Sequence, residues 1–363
     1  MLPPFRILFK AILLSLVVSL LLPFSPDWGI VSFYNHLFPG RKRLPFGENS
    51  AQAYNLSLYN LPAMFASHEV SQPKIDNEYR IFLIGDSSVW GTLLRPEETL
   101  AGQLNQRGLT YCGKHVEFYN LGYPTISLTK DLILLDYASR YQPDLIIWLT
   151  TLEAFPFHKQ LASPLVANNA LAIESLIARY DLPLDPEDPA LQRSTFLDQT
   201  IFGQRRSLAD LIRLQLYGVM WAATGVDQVY HENYAAPKTD FDSDDNTFYD
   251  FKPPLDETQL AYEILSIGMK RAPASVLLVN EPMLISQGEN SDIRYNFFYP
   301  RWAYDAYRQQ LAEKAVQSGW NYLDAWDILP ESEYTNSAIH LTPTGTSILA
   351  DKIVQALDPK CVP

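Results

Sequence analysis

Arg80-Ile81-Phe82-Leu83-Ile84-Gly85-Asp86-Ser87-Ser88 is an apolar run that stops at a glycine and is followed at once by a carboxylate and two hydroxyls. The block from Ile81 to Ile84 has no polar alternation, which predicts a strand covered on both faces. Further runs of this kind lie at residues 116–121, 144–149, 275–279 and 321–324. Helical patterns separate them. Residues 100–106 form one, stopped by Gly108. Ser127 caps a second that runs to about Tyr141, with Leu128, Leu132 and Leu135 on one face. Residues 302–317 form a third, stopped by Gly319. Thr342 caps the last, with Pro343 at its first position and Leu349, Ile353 and Leu357 in line. Strands that alternate with helices build parallel β-α-β units. The expected fold is therefore α/β: a doubly wound, mainly parallel five-stranded sheet flanked by helices, flavodoxin-like in its three layers. Ligands of such sheets sit beyond the carboxyl ends of the strands, which is where Ser87 falls.

Composition narrows the function. Of 363 residues, 47% are hydrophobic and 19% charged, enough apolar matter for a packed core and too much for a disordered chain. The 28 Lys+Arg stand against 41 Asp+Glu, a net charge of −13 that repels phosphate backbones, and no nucleic-acid partner is expected. Two cysteines, Cys112 and Cys361, are too few for a disulfide scaffold or a cysteine zinc site. In an oxidising compartment they can pair; two buried thiols are the other reading. His36, His68, His115 and His231 show no paired ligand spacing, and neither metal nor cofactor is expected. The acidic stretch 240–246 offers oxygens at alternate positions, as calcium requires, but lacks the turn glycine and closing glutamate, so a solvated loop is expected.

The amino terminus points to a membrane. Arg6 and Lys10 precede the uncharged run from Ala11 to Pro26, and with Lys10 snorkelling a helix of about 20 residues can span from Phe5 to Phe24. Trp28, Phe33 and Tyr34 suit an interfacial belt. Residues 22–26 offer no small-residue cleavage site, which favours an uncleaved single-pass anchor over a signal peptide. The expected organisation is an anchor over 1–28, a juxtamembrane stalk over 29–78 and an α/β domain over 79–363. Within that domain, 155–270 is expected to be a helical insertion, a lid over the strand ends, with helices at 165–180 and 207–223. The basic flank before the apolar run places the body of the protein on the extracytoplasmic side, although Arg41, Lys42 and Arg43 weaken that bias.

Three separated blocks carry chemistry. Ser87 projects from the end of the first strand, where nucleophiles of α/β enzymes sit. The second strand ends in Asn120-Leu121-Gly122, whose glycine N–H can reach the same point. His340 precedes the last helix, placed to act as a general base. At the same edge, Asn280 and Glu281 close the fourth strand as candidate substrate contacts, with a plain polar turn as the alternative. Glu281 is also a candidate to orient His340. Tyr299 and Arg301 lie in the aromatic run 295–302, either a sugar-stacking wall or packing for the lid, and packing is favoured. His158 follows the third strand and is expected near the cleft.

In order and spacing, these blocks resemble the SGNH/GDSL hydrolase superfamily over residues 79–155 and 275–358. The resemblance implies that Ser87 in Gly85-Asp86-Ser87 is the nucleophile. It implies that the N–H groups of Ser87 and Gly122 bind the oxyanion, and that His340 in His-Leu-Thr-Pro is the base. Two departures stand out. The family's Gly-x-Asn-Asp is replaced here by Thr150-Thr151-Leu152-Glu153, so Leu152 stands where an amide donor belongs. Losing one such donor costs about 10²–10³ in rate, and a hydroxyl of Thr150 or Thr151 is the candidate replacement. The family's acid lies three residues before the histidine, where Ser337 stands with Asn336 beside it, and neither carries charge. Either a backbone carbonyl orients His340 in a dyad, or Glu153, Asp324 or Asp327 is recruited. The implied function is a membrane-anchored serine esterase or O-acyltransferase acting on an ester-bearing small molecule or glycan of the envelope or exterior. The alternative is a catalytically inactive SGNH-fold protein that binds glycan or serves as a scaffold.

Overall fold

In the computed structural model, residues 4–22, 40–46, 59–205, 208, 209, 212, 215, 216 and 233–357 are described. The strands are β1 (Glu78–Ile84), β2 (Thr110–Tyr111), β3 (Lys114–Asn120), β4 (Leu145–Thr150), β5 (Ser275–Asn280) and β6 (Asn321–Asp324), in the order β2-β3-β1-β4-β5-β6. Every neighbouring pair is parallel except β2 with β3. The five parallel strands have the flavodoxin-like order, and the winding reverses between β1 and β4. The doubly wound sheet expected from the sequence is present, with one strand added. Cys112 and Gly113 both take positive φ, 54° and 76°. That pair of conformations makes the two-residue turn of a right-twisting hairpin, which folds β2 back along β3. Cys112 is disulfide-bonded, and the chain's other cysteine, Cys361, lies outside the described residues.

The principal helices are α1 (Pro4–Leu21), α2 (Leu61–Ala66), the short α3 (Ser87–Trp90), α4 (Leu100–Gln106), α5 (Leu128–Ala138), α6 (Ala170–Tyr180), α7 (Tyr262–Arg271), α8 (Arg301–Ser318) and α9 (Pro343–Ala356). Alternate strand residues feed two separate cores. Phe82, Ile84, Ile146, Trp148, Val276 and Leu278 pack one face against α5, α7 and α8. Ile81, Leu83, Ile147, Leu149, Leu277 and Val279 pack the other against α4 and α9. Each such burial contributes about 1.5–3 kcal/mol, and this two-sided apolar cover is why the strands show no polar alternation. Thr342 caps α9 by accepting from the Gly345 N–H at 3.0 Å, and Gly319 ends α8 at φ 66°. The expected helix over 165–180 is broken at Asn169, whose Nδ2 donates to the carbonyls of Leu165 and Tyr59.

The stalk reading of 29–78 needs correction where the structure describes it. Leu44, Leu61, Met64, Phe65 and Val70 are buried in the larger core. Asn60 caps α2 by accepting from the Ala63 N–H. Residues 40–46 run against the loop after β1: Arg43 donates to the carbonyls of Gly91 and Leu94 at 2.9 and 3.1 Å and lies 4.1 Å over the Trp90 ring. The Trp90 indole N–H donates to the Leu44 carbonyl at 2.8 Å. The α/β domain thus already includes residue 40. The described parts of that stretch, 40–46 and 59–78, form a strap and a helical cap on the domain.

Within 155–270, most of the expected helix 207–223 lies outside the described residues. α7, at the end of the segment, is the β4–β5 crossover and packs on α5. Residues 239–251 contact the loops after β4 and β5: the Tyr249 hydroxyl donates to Glu153, and the Ser286 hydroxyl donates to the Thr239 carbonyl. Arg294 donates to Asp245 Oδ1 at 2.9 Å and to the Thr247 carbonyl. The Glu289 N–H donates to Asp240 Oδ1, and the Trp302 indole to the Asn246 carbonyl. Carboxylates of the acidic stretch are thereby tied to protein groups. α1 is exposed, with a mean hydropathy of 2.0, and is long and apolar enough to cross a membrane. The expected aromatic belt, Trp28, Phe33 and Tyr34, lies outside the described residues.

Candidate active site

β1 delivers its last residues into a crowded turn. A Cβ on Gly85 would stand 2.6 Å from Val89 Cγ2 and 3.1 Å from the Leu149 carbonyl oxygen, so only glycine lets the chain pass. Asp86 then caps α3, accepting from the Ser88 N–H at 2.8 Å. Ser87 is the first residue of that helical turn, where an N–H has no intrahelical acceptor. The turn is held from behind by Lys130, which is fully buried on α5. Its Nζ donates to the Gly85 carbonyl at 2.6 Å, the Tyr123 carbonyl at 3.2 Å and Asp131 Oδ1 at 2.5 Å. Asp131 also accepts from the Trp148 indole. Burial raises the Asp131 carboxyl to about 6, against the pull of Lys130.

His340 arrives from the other end of the chain. Its Nε2 lies 2.8 Å from Ser87 Oγ, and its Nδ1 lies 2.7 Å from Asn336 Oδ1. The amide oxygen fixes the hydrogen on Nδ1, which leaves Nε2 as the acceptor for the serine hydroxyl. The N–H of Thr335 donates to the His340 carbonyl and fixes the backbone of the turn. Burial holds the imidazole below its ordinary 6.5, while Asp86 pulls the other way. At neutral pH it is an uncharged base beside a hydroxyl, the arrangement that activates a serine.

The orienting group is thus a side-chain amide four residues before the histidine, where a backbone carbonyl or a carboxylate had been expected. The three candidate acids are placed elsewhere. Glu153 accepts from Lys159 and from the Tyr249 hydroxyl. Asp324 accepts from Arg308 at 2.7 Å and from Asn280 at 2.8 Å. With both ring nitrogens taken, Asp327 has no place on the imidazole.

The oxyanion candidates divide in the same way. A Cβ on Gly122 would lie 2.5 Å from the Trp90 nitrogen, so this glycine lets the loop after β3 press against α3. Its N–H, however, donates to Asn120 Oδ1 at 3.1 Å. Thr151 shares a hydrogen bond of 2.9 Å with the Tyr299 hydroxyl, which also accepts from the Glu153 N–H. Leu152 is wholly buried in the core, and Thr150 Oγ1 is buried with no hydrogen-bond partner among the described residues.

Three of the four substrate-contact candidates are structural. Asn280 is fully buried, donates to Asp324 and accepts from the Tyr307 hydroxyl at 3.2 Å. Tyr299 is fully buried under the loop after β4. Arg301 donates to the Ser291 carbonyl at 2.6 Å and covers the Tyr295 ring. The fourth, Glu281, is buried beside the turn that carries Ser87 and accepts from the Ser88 hydroxyl, while the ring nitrogens of His340 are bonded to Asn336 and Ser87. Burial, with the Asp86 charge adding to it, pushes the Glu281 carboxyl well above the usual range. His158 packs its ring on Tyr249. Among the described residues, no cluster of three or more His, Cys, Asp or Glu is arranged to hold a metal ion.

Sequence reasoning missed Lys130, Arg43 and the role of Asn336. A lysine inside an otherwise apolar helical run (Leu128, Leu132) was the visible signal for the first.

No family model matches this chain, and no curated protein matches it. Among solved structures it is similar to a lipolytic protein of the G-D-S-L family from Desulfitobacterium hafniense, at 11% identity over 77% of this chain and 99% of that one, with a TM-score of 0.34. It is similar also to a carbohydrate acetylesterase family member from Sinorhizobium meliloti, at 11% identity over 77% and 96%, with a TM-score of 0.32. The aryl esterase of M. smegmatis matches at 13% identity over 77% and 99%, with a TM-score of 0.32.

Proposed function

We propose that this chain is a serine esterase or O-acyltransferase of SGNH type, held at a membrane by α1, with an ester-bearing small molecule or glycan as substrate. The observation that carries the reading is the 2.8 Å contact between Ser87 Oγ and an uncharged His340, itself oriented by Asn336, at the carboxyl edge of a parallel sheet. His340 Nε2 takes the hydroxyl proton as Ser87 Oγ bonds to the ester carbonyl carbon, and the carbonyl electron pair moves to oxygen. The Ser87 N–H receives that oxyanion. Gly122 becomes a second donor when Asn120 Oδ1 releases its N–H. Collapse expels the alcohol, which takes the proton from His340, and leaves an acyl-Ser87. Water, or a sugar hydroxyl in a transferase, then repeats the steps in reverse. General-base action of this kind contributes about 10²–10⁴ in rate. An extracytoplasmic body agrees with the basic residues Arg6 and Lys10 ahead of the apolar run and with a disulfide-bonded Cys112.

A fluorophosphonate probe tests the reading on the detergent-solubilised chain. The wild type is expected to label, and Ser87→Ala to lose both labelling and short-chain aryl-ester hydrolysis by at least about 10³-fold. A folded wild type that neither labels nor hydrolyses would be a non-catalytic binding module instead.

A further inference from the structure

We infer that Asp86 supplies, through space, the negative charge that Asn336 cannot give to His340, and that the buried Glu281 beside it stays neutral so that the nucleophile turn carries one such charge rather than two. The inference rests on the Ser-His reading above and makes Asp86 a positioning residue for the base.

An imidazole that has taken a proton in a partly buried site needs a compensating charge. In a Ser-His-Asp arrangement the acid both orients the ring and stabilises the imidazolium. Here those two tasks are separated. Asn336 performs the first, with its amide oxygen 2.7 Å from Nδ1. For the second, Asp86 is buried and is the residue next to Ser87, whose hydroxyl touches the other ring nitrogen. It is also the neighbouring charge that pulls the His340 proton affinity upward.

Glu281 decides how much charge is there. Both carboxyls grip Ser88, Asp86 at its N–H and Glu281 at its hydroxyl. Lys130, the buried cation that holds the Gly85 carbonyl, is paired with Asp131. Two ionised carboxylates in that space repel, and one proton stays. It belongs on Glu281, which is buried with Oε1 unpartnered among the described residues, whereas Asp86 accepts a backbone N–H. Further titratable groups among the described residues act on this cluster. From α5 come Asp131 and Lys130, paired with each other. From the segment 295–304 come Tyr299 and Tyr304, and from the segment before α9 come Tyr334, neutral in its buried position, and Glu333, bonded to Thr342. Asp327 acts on Tyr334.

The test is the fluorophosphonate labelling rate of the full-length chain between pH 5 and 9, which needs no knowledge of the substrate. Asp86→Asn keeps a capping oxygen for Ser88 and removes the charge. It is expected to lower the plateau about tenfold or more and to move the acid limb down by about half a unit or more. Glu281→Gln is expected to leave the limb in place and the plateau within about threefold. Asn336→Asp, which leaves Asp86 untouched, is expected to raise the limb and to gain less than about threefold in the wild type, but at least about tenfold in the Asp86→Asn background. An Asp86→Asn plateau loss with an unmoved limb would mean a capping role only. A gain of about a hundredfold from Asn336→Asp alone would mean that no charge was acting before. Either result overturns the inference and leaves the nucleophile intact, whereas a wild type that never labels removes both.

Discussion

The loops after β1 and β4 leave neighbouring strands at the same edge of the sheet, and both carry hydroxyl residues, yet only one presents a hydroxyl to a histidine. After β1, Gly85 forces a sharp turn, Lys130 fixes it from behind, and Ser87 emerges with its oxygen against His340. After β4, Thr151 is joined to Tyr299, Leu152 fills the core and Glu153 is held by Lys159 and Tyr249. Residue type offers the hydroxyl in both places. What separates them is which protein groups already hold the loop: backbone carbonyls in the first, leaving the side chain outward, and the side chains themselves in the second.

That contrast can be broken most severely at Lys130. Lys130→Met leaves the Asp131 carboxyl buried without its cation and two carbonyls without a donor, a loss of about 3–5 kcal/mol in denaturant unfolding. The loss carries a pH signature. The Asp131 carboxyl is raised in the fold from 3.8 to about 6. Its contribution is therefore complete below the unfolded value and is lost as pH rises through the folded one. Without Lys130 the folded value rises further, so the variant loses more relative to wild type at pH 8 than at pH 5. Equal losses at both would show that the ammonium acts only as a hydrogen-bond donor.

A smaller effect tests the β4 loop directly. Leu152→Asn places an amide where the SGNH-type reading expects one, but the side chain there is wholly buried. It is expected to cost about 2–4 kcal/mol with no gain in labelling rate. A gain of tenfold or more would show that this loop can swing its amide toward Ser87. The gentlest probe is Thr151→Val, which removes one hydrogen bond to Tyr299. About 1 kcal/mol of stability is expected to go, with labelling unchanged within twofold. A large loss of labelling would return that hydroxyl to the reaction.

The parallel sheet was legible because two-sided burial writes itself into uninterrupted apolar runs, and Ser87 and His340 were legible because strand ends and helix caps mark where a chain turns. Asn336 was not legible, because the expected acid stands three residues before the histidine and an uncharged oxygen four residues before it does the orienting. The Gly122 N–H shows a second limit: a glycine signals close packing, and Asn120, two residues earlier, takes the donor. The strap at 40–46 was hidden because its polar side chains bond to backbone carbonyls far away in sequence, as Arg43 does with Gly91 and Leu94.

That strap sets a leash. Arg43 and Leu44 are fastened to the helical turn that carries Ser87, while α1 ends at Leu21. Pulled straight, the residues between Leu21 and Gly40 reach at most about 65 Å. If α1 sits in a bilayer, that leash bounds how far Ser87 can stand from the lipid, and under the proposed reading an ester fixed farther out is beyond its grasp.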